Sequence, residues 1–283
     1  GSLRTLRRRY RKRLERCQRK FSEAAVHELR IETRRLLAML DLLRALQFSR
    51  ALRRPRKVLK RRLDAFDALR DTQVCLALLK PLRREVPEAR VLDPLWRRQE
   101  QQWIAKLRHE IKATKQSRLQ KRLKRLETSL RDSATAAPRR TAETLVLAAL
   151  REAFANVVAL RRRVRRQSPA TIHRLRVAFK RIRYKCELLR SLLPGFTKKH
   201  LQRMRAFQAR MGDIQDMEVL LAAVTVAAER RHLPPSVARG LRKTLLARRR
   251  DAIDRFLASV DELSTFDPTR FAKSEASAKT SSP

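Results

Sequence analysis

Apolar residues recur at helical spacing along almost the whole of this 283-residue chain. One stretch shows the rhythm clearly, with apolar or small side chains at Val26, Leu29, Thr33, Leu36, Leu40 and Leu43. Steps of three and four residues are typical of a helix that buries one face. With only four Gly and 11 Pro, the chain has little material for the many turns of a β-sheet protein. We therefore expect an all-α fold.

The same spacing predicts eight helices in two groups of four. Their approximate positions are 3–21, 26–43, 51–82 and 93–130 in the first group, and 140–166, 170–193, 197–232 and 235–264 in the second. The stretch DSATAAPRR at 132–140 interrupts the pattern and is expected to be a linker. It would separate a first half at 3–131 from a second half at 141–264. Residues 265–283 are polar and are expected to form a disordered tail.

The charge of the chain is strongly positive. The sequence has 71 Lys and Arg residues against 28 Asp and Glu residues, a formal net charge of +43. A folded body with this excess repels itself, so a polyanionic partner is expected. Most of the cations are arginines, whose planar guanidinium suits phosphate oxygens. The alternative is a solvated basic surface that reflects only an arginine-rich composition.

The three cysteines, Cys17, Cys75 and Cys186, are far apart and form no C-x-x-C pair. We therefore expect neither a disulfide framework nor a zinc site, and a reducing, cytoplasmic environment suits the chain. No apolar run is long enough to span a membrane, and the charged N-terminus does not resemble a signal peptide.

Two pairs of segments repeat at nearly one offset. VHELRIETRRLLAMLDLLR at 26–44 and IHRLRVAFKRIRYKCELLR at 172–190 align 146 positions apart, so that His27 matches His173 and Arg30 matches Arg176. DTQV at 71–74 and DMEV at 216–219 align 145 positions apart. Two matches in the same order predict an internal duplication.

The repeated segment places a histidine and cations on one helical face. Residues at i, i+3 and i+7 fall within an arc of roughly 60° on a helix. Two rows have this spacing: His27, Arg30 and Arg34 in the first half, and His173, Arg176 and Lys180, with Arg183 one turn further, in the second. Such a row contains only hydrogen-bond donors and suits an extended chain of phosphates better than a single small anion. The alternative for each histidine is a structural residue hydrogen bonded to a carbonyl group.

These residues resemble a known family. VHELRIETRRL and IHRLRVAFKRIRY are similar to the two H-x-x-R-[VI]-x-x-[RK]-[RK] signatures of CHAD domains, the conserved-histidine α-helical domains, and LRDTQVCLAL and MGDIQDMEVL are similar to that family's downstream element. Gln73 and Glu28 depart from the family pattern. The resemblance implies two four-helix bundles related by a pseudo-twofold axis, with a basic central groove or channel that binds inorganic polyphosphate. The binding residues it implies are His27, Arg30, Arg34, Arg35, His173, Arg176, Lys180 and Arg183.

Further basic residues follow the two histidine helices at matching positions. We add them as weaker candidates for polyphosphate binding: Arg53, Arg54 and Lys60, with Lys198, Lys199 and Arg205. Asp71 and Asp216 have a different expected role. A carboxylate among basic side chains repels phosphate, but it can pair with an arginine and orient its guanidinium group. A metal-ligand role for these two residues is the alternative.

The expected function is binding without catalysis. The chain contains no E-x-E-x-K, P-loop, G-x-S-x-G or H-E-x-x-H motif, and a single E-x-x-H at Glu229 to His232 is too little for a di-metal bundle. We therefore predict no catalytic residue, no metal and no cofactor, in a bacterial, cytoplasmic protein recruited to polyphosphate granules. Nonspecific nucleic-acid binding is the alternative function. An enzyme that processes phosphate esters or polyphosphate is a more distant alternative. The sequence does not identify a protein partner.

Overall fold

The computed structural model describes residues 2–46, 49–113, 116–134 and 139–271. Within these ranges the chain forms α-helices joined by short 3₁₀ helices and turns, and it contains no β-strand, which confirms the all-α class. None of the described helices is apolar over enough of its length to cross a membrane. The α-helices are α1 Leu3–Lys20, α2 Glu23–Arg44, α3 Ser49–Ala65, α4 Asp67–Glu85, α5 Leu92–Ala113, α6 Gln116–Ala134, α7 Arg139–Arg162, α8 Pro169–Leu188, α9 Lys198–Glu229 and α10 Pro235–Ala258.

A tight turn after α1 fixes where α2 begins. Phe21 takes a left-handed backbone conformation with φ of 48° and ends α1, and the Ser22 side chain caps α2 by accepting a hydrogen bond from the Ala25 amide at 3.4 Å. The Phe21 ring is buried against Phe66, with ring centroids 6.3 Å apart. This turn places His27 in the first turns of α2, with the apolar residues of the helix buried behind it.

The predicted third helix is interrupted, and the predicted fourth helix is described in two parts. The 51–82 prediction corresponds to α3 and α4, which are separated at Phe66. Phe66 keeps the apolar rhythm of the sequence, so spacing alone gives no sign of the break. The 93–130 prediction corresponds to α5 and α6, and residues 114 and 115 between them lie outside the described residues.

The second half follows the predicted helix order, but the structured region extends further than expected. The predicted disordered tail starts at 265, whereas the structure has 3₁₀ helices at Val260–Phe266 and Pro268–Phe271. Phe266 is buried against Phe179 and Phe207, and this burial accounts for the order. Within the predicted linker 132–140, residues 135–138 lie outside the described residues, as do residues 272–283 of the tail.

Two of the hydrophobic cores contain residues of both predicted halves. Tyr184 and Leu188 of α8 pack into a core to which α1 to α6 all contribute. Another core joins α4 and α5 to α9 and α10, with Leu79 and Leu220 among its members. As a result α2 packs against α8 and α4 packs against α9, so the repeated segments meet in pairs. The duplication itself stays a prediction from the sequence.

Candidate anion-binding site

The contact between α2 and α8 brings the two histidine rows to one place. Each helix buries its apolar stripe, including Leu29 in α2 and Leu175 in α8. The row of histidine and basic side chains lies next to that stripe on each helix. His27 and His173 are both exposed, whereas Arg30 and Arg183 are buried. We call Arg30, Arg34, Arg176, Lys180 and Arg183 the α2–α8 cation cluster.

The members of this cluster repel each other strongly. Burial, followed by repulsion from Arg34, Arg176, Arg30 and Arg183, lowers the pKa of Lys180 to about 6. Burial and then Arg30 lower the pKa of Arg34 to about 10, and burial lowers the pKa of Arg176. A lysine with such a pKa is mostly neutral at pH 7.5, and a bound anion would restore its charge.

Some of the predicted ligands already have partners within the protein. Arg30 Nη1 donates to the Leu63 carbonyl oxygen at 3.0 Å and Nη2 donates to Asp67 Oδ1 at 2.5 Å. Arg183 Nε donates to Gln208 Oε1 at 2.8 Å. The protein thus holds the Arg30 guanidinium by two hydrogen bonds and the Arg183 guanidinium by one.

Arg35 serves the contact between the helices instead. Its guanidinium donates to Glu32 at 2.5 Å and to Glu187 of α8 at 2.6 Å. The motif alone therefore does not separate residues that can face a ligand from residues that hold α2 to α8.

Three members of the cluster have no such partner. Arg34, Arg176 and Lys180 form no hydrogen bond or ion pair within the described part of the chain, and Arg176 Nε is buried without an acceptor. An unpaired buried donor or charge costs free energy, so these side chains are poised for an anion. The guanidinium of Arg176 also lies over α9, where a Cβ added to Gly212 would be 3.8 Å from Nη2.

The two histidines have different surroundings. His173 Nδ1 is hydrogen bonded to the side chain of Gln215 on α9. The pKa of His27 is lowered by partial burial and then by Arg70, Lys180 and Arg34, while Glu23 acts in the opposite direction. His27 is therefore neutral at pH 7 without ligand and can still donate one hydrogen bond to a phosphate oxygen.

Asp71 and Asp216 do not directly bind an arginine. Loss of hydration raises the pKa of both carboxyl groups, and they lie close enough for Asp216 to raise the pKa of Asp71 further. Arg176 acts in the opposite direction on Asp216. Among the described residues no group of three or more His, Cys, Asp or Glu side chains is arranged to hold a metal ion.

Two residues at the site were not predicted. Asp67 is the carboxylate that binds Arg30, and Arg70 pairs with Glu23 at 2.8 Å while acting electrostatically on His27, Asp71 and Asp216. Both lie just before DTQV in the sequence, in the first turn of α4. Their proximity to α2 depends on the break at Phe66, which the apolar pattern does not reveal.

The weaker candidates fall on two separate surfaces. Arg53 and Lys60 line a cleft of about 750 Å³ between the end of α2 and α3, with Arg44, Arg56 and Lys57 beside them. Arg54 is exposed on α3 and is not part of that lining. Exposed positions on α9 hold the others, Lys198, Lys199 and Arg205.

Comparison with known families decides the assignment. The model of the CHAD domain matches residues 2–225, a range that contains both histidine helices and both downstream elements. The chain belongs to the CHAD domain family. The family assignment made from the repeated motifs is thereby confirmed.

A solved CHAD domain has the same fold. The crystal structure of the CHAD domain from the plant Ricinus communis matches with a TM-score of 0.71, covering 92% of this chain and 89% of that chain. The two sequences are only 20% identical, so this match shows the fold of the chain and nothing about its function. A search of curated proteins found no match.

Proposed function

We propose that this CHAD protein binds inorganic polyphosphate at the α2–α8 cation cluster. The observation that carries the proposal is the group of Arg34, Arg176 and Lys180, three neighbouring basic side chains that form no hydrogen bond or ion pair among the described residues. Holding them together unpaired destabilises the fold, and a polyanion offsets that cost. Membership of the CHAD family adds support, because polyphosphate is the expected ligand of the family signature.

Polyphosphate suits the cluster better than a nucleic acid does. Proteins that bind single strands usually stack bases on exposed aromatic rings. The aromatic ring that adjoins the cluster belongs to Tyr184, which is buried and covered by the Arg183 guanidinium at 4.3 Å from the ring centroid. The cluster therefore offers many hydrogen-bond donors to phosphate oxygens, whereas Tyr184 offers no exposed ring on which a base could stack.

A competition experiment tests the proposal. Long-chain polyphosphate is titrated into the protein at about 150 mM salt, where weak nonspecific DNA binding is screened. We expect polyphosphate to bind and an equal phosphate concentration of duplex DNA to displace little of it. Equal displacement by DNA would favour the nucleic-acid alternative.

A charge-matched pair of variants locates the binding. Arg176→Gln with Lys180→Gln should lower affinity by roughly 10- to 100-fold, from the loss of two charge-assisted contacts. Arg239→Gln with Lys243→Gln makes the same formal charge change at exposed positions of α10 and should have a small effect. Equal losses in both variants would mean that only net charge matters.

The proposal is one of binding without catalysis, at polyphosphate granules of a bacterial cytoplasm. Incubation with polyphosphate, with and without Mg²⁺, should release no phosphate. A fluorescent fusion should form foci that coincide with stained granules, and the Arg176→Gln, Lys180→Gln variant should spread through the cell. Foci that persist in that variant would indicate recruitment by another route, such as a protein partner.

A further inference from the structure

The two repeated segments differ at one position that faces the motif arginine. An offset of 145, as between DTQV and DMEV, pairs Asp67 with Gly212. Asp67 binds Arg30 at 2.5 Å, whereas Gly212 lies beneath Arg176, the residue equivalent to Arg30. A carboxylate therefore stands in the first half where the second half has only a hydrogen atom.

The break between α3 and α4 completes the difference. Because the helix is interrupted at Phe66, the Leu63 carbonyl lies at the end of α3 and accepts a hydrogen bond from Arg30 Nη1 at 3.0 Å. In the second half α9 runs without interruption through Gly212. Arg176 consequently forms no hydrogen bond to a carbonyl or a carboxylate among the described residues. Its Nε is buried without an acceptor, and the Asp216 carboxylate acts on it only through its charge.

We propose that Asp67 and Gly212 determine which of the two motif arginines takes phosphate, with Asp67 occupying Arg30 and Gly212 leaving Arg176 open. This inference rests on the proposed function, since it gives the two motif arginines of the polyanion site different roles. The bound chain is held by Arg34, Arg176 and Lys180, while Arg30 is retained by the protein. The two motif arginines thus have different roles although the motif around them is repeated.

Exchanging the two residues tests the inference. Gly212→Asp places a carboxylate beside Arg176, and the position accepts it because a Cβ there meets only atoms of Arg176, at 3.8 and 3.9 Å. Gly240→Asp is its matched control, since it makes the same charge change in α10 with nothing within 4 Å of the new Cβ. We expect Gly212→Asp to weaken polyphosphate binding roughly 10-fold and Gly240→Asp by less than about 2-fold.

The reverse change, at Asp67, should make Arg30 available to phosphate. Asp67 is half exposed, with 54% of its side chain accessible, so Asp67→Asn removes its charge with little disturbance of packing. We expect it to tighten binding by roughly 3- to 10-fold, and Arg30→Gln in the Asp67→Asn background to abolish that gain. Asp251→Asn, an exposed change on α10, should leave affinity within about 2-fold of the parent.

The outcomes separate this inference from the proposed function. A parent protein that does not bind polyphosphate would overturn the function. A parent that binds, with Gly212→Asp equal to Gly240→Asp and Asp67→Asn equal to Asp251→Asn, would overturn the inference alone.

Discussion

Lys180 of α8 and Arg34 of α2 stand together at the helix contact, and neither forms an ion pair within the described residues. Burial and then the Arg34 guanidinium lower the pKa of Lys180 to about 6. Helix packing therefore assembles a site whose charge state depends on its ligand.

Lys180→Met should stabilise the protein while weakening its binding. The substitution keeps the approximate length of the side chain and removes an amine that forms no ion pair among the described residues and whose charged form is opposed by burial and by the neighbouring arginines. We expect a gain of about 1–3 kcal/mol in the free energy of unfolding at pH 7 without ligand. Chemical denaturation checks stability, and a polyphosphate titration checks affinity. A variant less stable than the parent would mean that Lys180 has a favourable partner.

The stabilising effect of Lys180→Met should depend on pH in a defined direction. The pKa of Lys180 is about 6 in the folded protein and near 10.4 in an unfolded chain, so the unfolded chain binds the proton more tightly. This group therefore makes the parent less stable as pH falls from about 10 to 6, and its contribution levels off below 6. The difference between Lys180→Met and the parent should grow over the same range. A constant difference from pH 6 to 9 would contradict it.

Polyphosphate binding should take up a proton. A bound anion raises the pKa of Lys180 and that of His27, so affinity should increase as pH falls from about 8 to 6. Calorimetry in two buffers of different ionisation enthalpy measures the protons taken up. Lys180→Met should remove most of this uptake near pH 7.5, and His27→Ala should reduce the part near pH 6.5. The same uptake in all three proteins would place the titrating group elsewhere.

Arg30 and Arg176 should differ although the motif treats them alike. Arg176→Ala should weaken binding by roughly 10-fold and leave stability nearly unchanged, since Arg176 makes no internal hydrogen bond among the described residues. Arg30→Ala removes the contacts to Leu63 and Asp67 and should cost about 1–3 kcal/mol of stability. Its effect on binding should be smaller. Denaturation and titration of both variants provide the comparison, and identical profiles would contradict it.

Binding should depend steeply on salt and on chain length. Each cation that contacts phosphate releases a counter-ion, so Arg34→Gln should lower the slope of log affinity against log salt by roughly one, by analogy with nucleic acids. A longer polyphosphate that also reaches the cleft lined by Arg53 and Lys60 gains effective concentration. Arg53→Gln with Lys60→Gln should thus affect long chains and leave short ones unchanged. A loss for short chains as well would mean that the cleft belongs to the same contact.

The sequence predicts the helical framework well because burial imposes a regular apolar spacing. It predicted the all-α class and placed His27 and His173 on equivalent helical faces, since both depend on local periodicity. The break at Phe66 was missed because an apolar residue continues the stripe there. The pairing of Arg35 with Glu187 joins residues far apart in sequence, so no local pattern contains it.

The same limit applies within the site. Spacing identified Arg30, Arg176 and Lys180 as cations on shared faces, but it did not show which of them the protein itself neutralises. That difference depends on Asp67 and Gly212, which belong to other helices. A motif thus predicts which basic side chains share a helical face. The side chains packed against that face from other helices determine which of them remain available to a ligand.

A structure of the protein with polyphosphate of defined length tests the central claim most directly. The account predicts phosphate oxygens within about 3 Å of the Arg176 guanidinium and the Lys180 ammonium group, with Arg30 still bound to Asp67. Polyphosphate bound only elsewhere, for example along the cleft lined by Arg53 and Lys60 with the cation cluster empty, would contradict it.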